Sequence, residues 1–591
     1  MQDTTHALTA DTKEPLLCPA ASLDVALAPV SRARRSIWSR YFWCALLLAL
    51  LAGLTLNGPR ANAQTVTLVQ QPAPPAPPDV IVTKDTSTGE IETQNWVRTG
   101  NGTVIEYRDQ KVDSKNRILY RFIKYNDPNT GQQTGGVEET WTYDADGNTT
   151  GHTYQEYNPN TGKWNPVVKT LNIGYQIQDI GFLAGGDFTQ PEGINNSGQI
   201  AGYAMNGSNQ VRAFCWQNGQ MQDLGTLGGS FATAFGINNS GQIAGGAATG
   251  AVDGSGHAIY HACLWQDGEP IDLGTLGGED SEAYGINNNG QIVGWAQISS
   301  GDMHAALWQS GQVFDLGVLS GGTEGSYATA INDSGQVVGD SSSQSGRFDA
   351  FFWQNGTMTD IGLWPFITTG SSATAINNAG IVTGRCSLYW SDNAADFTWD
   401  ATAGFHFSGG LGGNSASSQS INNLGLRVGL SQPSNNAPTF YAWRFDDNHL
   451  ARDLNEAIPA NSGWTLAEAD VVNDNGWIAG EGIMQTDSKV HAYVLVPLSV
   501  SSITLPATMH SGQTATGTVQ LSGPAPEFGA VIQLTSKNKT ALSVPARITI
   551  PAGATQASFT AKAGTVSRLT TVGVKASYDA TAKDTMVTVA P

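Results

Sequence analysis

From about residue 174 to residue 497 the chain alternates short apolar runs with clusters of Asn, Gly, Ser and Gln, and the same phrases return in the same order. In one copy, Ala234-Phe-Gly-Ile237 runs into Asn238-Asn-Ser-Gly241 and then Gln242-Ile-Ala-Gly245. After a loop of variable length come His261-Ala-Cys-Leu-Trp265, Gln266-Asp-Gly268 and Pro270-Ile-Asp-Leu273, and Gly274-Thr-Leu-Gly-Gly278 leads to the next copy. Short apolar runs bounded by such clusters predict strands, and no 3.6-residue period supports helices. Asn and Gly at the turns suit hairpins, whose tight loops need residues that tolerate φ > 0.

The apolar residue that opens each Asn-Asn phrase sets the period. It falls at Ile194, Ile237, Ile286, Ile331, Ile376, Ile421 and Val472, at spacings of 43, 49, 45, 45, 45 and 51. A four-stranded unit repeating near this length predicts the blades of a β-propeller. The Trp-bearing strand occurs at Trp216, Trp265, Trp308, Trp353, Trp399 and Trp443, with Val494 standing for Trp in the last copy. That last copy, His491-Ala-Tyr-Val-Leu-Val496, lacks the Asp-Leu-Gly strand that should follow it. An orphan of that type, Tyr175-Gln-Ile-Gln-Asp-Ile-Gly181, precedes the first complete copy. Pairing the orphan with residues 491–496 would close a seven-bladed β-propeller and remove its exposed sheet edges. An open solenoid is the alternative architecture.

The flanks read differently. Residues 80–170 alternate apolar and polar positions between turn clusters, as in Arg117-Ile-Leu-Tyr-Arg-Phe-Ile-Lys-Tyr125, which predicts a β-meander. Residues 498–591 carry alternating strands such as Thr514-Ala-Thr-Gly-Thr-Val-Gln-Leu521 and Thr571-Val-Gly-Val-Lys575, which predict a β-sandwich. Residues 64–79 form a Pro-rich linker around Gln71-Pro-Ala-Pro-Pro-Ala-Pro-Pro78. In residues 1–63, basic Arg32, Arg34, Arg35 and Arg40 precede an apolar run from Tyr41 to Leu56 and the small-residue signal Ala61-Asn-Ala63. This leader predicts export by a cleaved signal peptide, with an uncleaved inner-membrane anchor as the alternative. The protein is expected to be secreted or held at the cell surface.

The run His-Ala-x-x-Trp, Asp-Leu-Gly-Thr-Leu-Gly-Gly and Gly-Ile-Asn-Asn-x-Gly-Gln-Ile resembles the extracellular HAF-repeat family of bacteria over about residues 174–497. The resemblance implies export and a propeller-like fold, and it implies no agreed activity. It fades between Trp364 and Gly413. Ser511-Gly-Gln-Thr514, Leu521-Ser-Gly-Pro524 and Ile550-Pro-Ala-Gly553 are similar to bacterial Ig-like surface modules, so the complete expectation is a β-meander, a propeller and an Ig-like β-sandwich.

Composition narrows the partners. Setting aside residues 1–63, which hold six of the 30 basic and four of the 50 acidic residues, leaves a body near −22. The repeat region has seven basic residues, too few to neutralise a phosphate backbone, so nucleic acid is excluded as a partner. Cys215, Cys263 and Cys386 match no zinc spacing and read as small buried apolar residues. No nucleophile elbow, metalloprotease helix or phosphate loop occurs, and no metal or cofactor is expected.

The recurring Trp, His and Asp residues read as structural because they repeat. Function is expected where copies differ, in the variable loops that share one face. Trp295, Asp302, Trp364, Tyr389 and Trp390 are the candidate binding residues there, since aromatic rings beside carboxylates suit glycan or protein ligands. The reading is a non-enzymatic exported protein for surface attachment or extracellular binding. A propeller hydrolase or lyase acting on polysaccharide and a purely structural spacer are the alternatives; the former is disfavoured because the inner strands read as mostly Ala, Gly and Ile.

Overall fold

The computed structural model describes the strands between residues 79 and 165 and residues 174–591, apart from 345, 363–367, 389–393, 409–410, 412–414, 433–438, 446–450, 460, 527–528 and 580. The leader and most of the Pro-rich linker therefore lie outside the described residues. The protein is all-β. Strands from Asp79–Lys84 to Lys163–Asn165 form one seven-stranded antiparallel sheet in sequence order, the meander expected there. Among the described residues no helix is long and apolar enough to cross a membrane.

Seven four-stranded antiparallel sheets follow. The first six occupy residues 189–223, 232–272, 277–317, 326–360, 368–408 and 416–453, each with its strands in chain order. The seventh takes Trp464–Val472, Ile478–Met484 and Lys489–Pro497 and receives its fourth strand, Tyr175–Asp179, from the front of the region. The register is Tyr493 opposite Asp179, Val494 opposite Gln178 and Leu495 opposite Ile177. The first strands of successive sheets touch one another, and that of the seventh touches that of the first.

Turn chemistry explains the hairpins. In the turn between third and fourth strands, both central residues have positive φ: Asn218 and Gly219, Asp267 and Gly268, Ser310 and Gly311, Asn355 and Gly356. This is the type I′ geometry whose twist matches the flanking strands. In the turn between first and second strands, Asn238 Oδ1 accepts the amides of Ser240 at 3.1 Å and Gln242 at 3.0 Å. Its Nδ2 donates to the Asn287 carbonyl of the next sheet at 3.1 Å. The same bond runs from Asn195 to Asn238, Asn287 to Asn332, Asn332 to Asn377, Asn377 to Asn422 and Asn422 to Asn473. Asn473 then donates to the Asn195 carbonyl at 2.8 Å, so the circuit returns to its start. All seven amides are buried, where an unpaired amide would cost about 1–3 kcal/mol.

Sheets pack face to face, large side chains against small. Ile243 and Trp265 of the second sheet meet Ala201 and Ala213 of the first. Ile292 and Trp308 of the third meet Ala244 and Ala262 of the second. Ile200 and Trp216 of the first meet Ala479 and Ala492 of the seventh. The Trp is selected for its apolar area rather than its N–H, because the buried Nε1 atoms of Trp216, Trp265 and Trp308 have no hydrogen-bond partner.

The ladder register corrects the expected Trp series at its end. The Trp position lies opposite the first apolar residue of the second strand, as Ile243 faces Trp265. In the sixth sheet Phe445 faces Arg427, and in the seventh Leu495 faces Ile478, so Phe445 and Leu495 fill the position rather than Trp443 and Val494. Trp443 sits two residues earlier, opposite Gly429. Arg427 itself occupies a site that is Ile or Val in the other six sheets. It pairs with buried Asp396 of the fifth sheet at 2.8 Å and lies 4.0 Å over the Phe445 ring.

The recurring Asp and His are structural. Asp272 accepts the Gly274 amide at 2.8 Å and faces His261 at 2.8 Å on the neighbouring strand. Asp315 does the same with Gly317 and His304. In the seventh sheet the pair is rebuilt across 312 residues by His491 and Asp179 at 3.1 Å. Residues 498–591 form a four-stranded and a five-stranded sheet around a core that includes Val519, Phe559, Val572, Val574 and Val587.

Candidate functional site

Each of the seven sheets carries a bulge in its first strand, placed by the motif itself. The ladder skips Phe235 between Ala234 and Gly236, and Tyr284 between Ala283 and Gly285. By the same register it skips Glu192, Thr329, Thr374, Gln419 and Asp470. The glycine near the start of each second strand, which ends a Gln-Ile-x-Gly phrase in the first three sheets, faces the bulge. A Cβ at Gly202, Gly245, Gly294, Gly339, Gly384, Gly429 or Gly480 would run into a carbonyl oxygen of the bulged strand, so no larger residue fits. A bulge leaves one residue without a ladder partner and re-aims its side chain.

What the bulges carry differs from sheet to sheet. Along the first four sheets, rings from the bulge and its flanking strands form a chain of contacts. Phe188 lies 6.0 Å from Tyr203, Tyr203 lies 6.3 Å from Phe235 and Phe235 lies 5.3 Å from Tyr284. The Trp295 indole N–H donates to Tyr284 Oη at 3.0 Å, and Tyr284 donates to Glu282 at 3.0 Å. Trp295 then lies 6.5 Å from Tyr327, which lies 5.9 Å from Phe348. The fifth and sixth sheets offer hydroxyls and amides instead: Thr374 donates to the Ser418 carbonyl at 2.9 Å and Gln419 to Glu468 at 2.7 Å.

Carboxylates gather in the seventh sheet and beside the aromatic chain. Gln190 of the first sheet donates to Asp470 at 3.2 Å. Glu468 and Glu481 lie opposite one another in the ladder. Burial first, and then the charges of Asp470, Glu468, Glu481 and Asp453, push the Tyr493 phenol well above its ordinary value. Burial, then Asp340 and Glu324, push Tyr327 up to about 12. Burial and then Glu282 act on Tyr284 in the same direction. These tyrosines stay neutral and act as hydrogen-bonding phenols. Burial also pushes the Cys263 and Cys386 thiols up to about 12, which makes them poor nucleophiles. Among the described residues no group of three or more His, Cys, Asp or Glu is arranged to hold a metal ion.

The expected site residues separate. Trp295 is not in a loop: it lies in the strand Ile292–Ile298, is 8% exposed, and belongs to the aromatic chain. The apolar face of its strand took it inside, where the Tyr284 hydroxyl satisfies its N–H. Asp302 is exposed in the hairpin turn after that strand and accepts the Ser300 hydroxyl at 2.7 Å, so it does not join Trp295. Trp364, Tyr389 and Trp390 lie outside the described residues. The first strands, expected to be mostly Ala, Gly and Ile, are richer than that, since Glu192, Phe235, Tyr284, Gln419 and Asp470 stand among their small residues. The signal was in the repeat itself. Two residues before each apolar residue of the Asn-Asn phrase, the copies read Glu, Phe, Tyr, Thr, Thr, Gln and Asp.

A family model described as a protein of unknown function (DUF3466) matches residues 319–519, from just before the fourth sheet into the C-terminal sandwich. No curated protein matches the sequence. Among solved structures, an oligogalacturonate lyase in complex with manganese is similar at 11% identity over 71% of this chain and 96% of its own, with a TM-score of 0.26. An Escherichia coli alpha-2-macroglobulin activated by porcine elastase is similar at 10% identity over 87% of this chain and 53% of its own, with a TM-score of 0.12. Both scores are too low for the fold or the chemistry of either protein to bear on this one.

Proposed function

We infer that the seven sheets are the blades of a β-propeller closed by the strand Tyr175–Asp179, and that this propeller is an extracellular glycan-binding module. The closed circuit of Asn side chains and the pairing of the seventh sheet with residues 175–179 support the architecture. The half-buried Phe235 and Tyr284 rings, set edge to face in neighbouring bulges, carry the binding reading, because aromatic rings beside carboxylates match the apolar faces and hydroxyls of sugars. In this reading the bulge residues line the axis and the variable loops form its rim, so ligand enters from the face that carries those loops. The leader exports the chain, the HAF-type repeats form the binding body, and the C-terminal sandwich serves as an Ig-like stalk.

The test is binding of the full chain to a panel of insoluble and arrayed polysaccharides. Saturable binding to at least one, lost in a Phe235→Ala variant that still unfolds cooperatively, is the expected result. A full chain that binds no polysaccharide on the panel would sink the reading. The carboxylates of the seventh sheet favour polysaccharide cleavage as the second reading, since glycoside hydrolysis works through paired carboxyl groups. Release of reducing ends from a bound polymer would move the protein to that class.

A further inference from the structure

The proposed glycan site is lopsided in charge as well as in aromatic content, and the charge selects among glycans. Among the bulges and the strand pairs that flank them stand Glu192, Glu282, Asp340, Glu468, Asp470 and Glu481, against two guanidiniums, Arg385 and Arg427, of which Arg427 is paired with Asp396. The imbalance extends outward, since residues 174–497 hold 30 acidic and seven basic residues. Asp340 and Glu282 adjoin the aromatic chain: Asp340 accepts the Ser372 hydroxyl at 3.0 Å, and Glu282 accepts Tyr284. Aromatic faces and carboxylates attract the same kind of group, a cation attached to an apolar frame. They repel a uronate or sulfated chain, whose charges would meet like charges in a site poorly screened by water.

We propose that this site takes a glycan bearing free amines, with sugar faces on the half-buried Phe235 and Tyr284 rings of the bulges and ammonium groups on the carboxylates of the seventh, first and third sheets. This rests on the glycan-binding reading and narrows it to a cationic ligand class. Aromatic stacking alone would accept neutral sugars equally well. The carboxylates add discrimination, because each ammonium–carboxylate or ammonium–ring contact in a partly buried site strengthens binding several-fold.

The experiment titrates the full chain by calorimetry and Trp fluorescence with three probes: a hexamer of β-1,4-linked glucosamine, its fully N-acetylated counterpart and a hexamer of galacturonate. The expected order is glucosamine tightest, the acetylated hexamer about tenfold weaker or more, and no binding of the uronate. The glucosamine affinity should fall with added salt while that of the acetylated hexamer holds. Glu192→Gln should bring the two closer together. Asp470→Asn should do the same, because the amide oxygen still accepts from Gln190. Should either variant melt early, the salt dependence of the unmodified protein decides alone. Equal or tighter binding of the acetylated hexamer, or an affinity indifferent to salt, overturns the charge assignment and leaves the glycan-binding reading standing. Preferential binding of the uronate overturns the assignment as well. Failure of all three hexamers overturns the charge assignment too, and the wider polysaccharide panel then decides whether the binding reading falls with it.

Discussion

Two positions three residues apart, one in each first strand and one in the turn after it, behave in opposite ways. At its turn, all seven sheets place Asn at the same position, and each side chain makes the same bond to the next carbonyl. Three residues earlier, at the bulge, the sheets present Glu192, Phe235, Tyr284, Thr329, Thr374, Gln419 and Asp470. The backbone is the same in both places. At the turn the side chain is an essential part of the architecture, and a copy without Asn would leave a buried carbonyl unmet. At the bulge the backbone and the facing glycine fix the geometry, which frees the side chain to differ. A repeat protein thus separates what holds it together from what it touches.

The largest effect should come from the device that makes the bulge. Gly245→Ala would drive a Cβ into the Thr233 carbonyl and cost more than about 4 kcal/mol in urea unfolding. Gly254→Ala, in an exposed loop with open space around it, should change nothing measurable. Next is the one sheet pair that departs from the repeat. Arg427→Ile should cost about 3–5 kcal/mol by stranding the buried Asp396 charge. The double change Arg427→Ile with Asp396→Ala restores the residue types of the other sheets and should return stability close to that of the parent.

The third prediction sets the two positions directly against each other. Asn195→Ala removes side-chain bonds to Ser197, Gln199 and Asn238 and should cost about 2–3 kcal/mol. Glu192→Gln, three residues away, should shift stability by no more than about 0.5 kcal/mol while changing ligand preference. A large stability loss at Glu192 would break the division between architecture and site.

The smallest effect is a pH dependence at the turn. Burial alone would raise the Asp333 carboxyl, but hydrogen bonds from the Asn288 side chain and amide and from the Asn378 side chain outweigh it and hold the carboxyl below the ordinary aspartate value of 3.8. A depressed value means that Asp333 contributes stability above pH 3.8, and the contribution is lost as pH falls through its lower folded value. Melting temperature followed from pH 6 downward should therefore fall less steeply in Asp333→Asn than in the parent.

Much of this was legible in the chain, and the exceptions share a physical reason. The period, the hairpin turns and the orphan strand at residues 175–181 could be read because turn chemistry and alternation are local properties. The Trp443 and Trp295 assignments went astray because each depends on which strand lies opposite. A two-residue offset keeps Trp443 on the same face of its strand but moves it to a different layer of the packing. Trp295 follows a glycine and precedes a variable loop, so its sequence neighbours suggested a surface, whereas Tyr284 on the adjacent strand made it interior. The charged bulge positions were visible as letters, but nothing in one copy marks its middle as the place where sheets differ.

What the sequence determined alone was the unit: four strands, two tight turns, a glycine where a side chain cannot fit, and a first strand detached to complete the last sheet. Those follow from φ/ψ limits and from burying apolar faces over a few residues. The tertiary structure decided which unlike side chains meet. Phe235 touches Tyr203 and Tyr284 because successive sheets are packed side by side, and Gln190 reaches Asp470 because the first and last sheets, far apart in the chain, are packed likewise. Local energetics fix the shape of each copy, and the contacts that would recognise a ligand arise between copies.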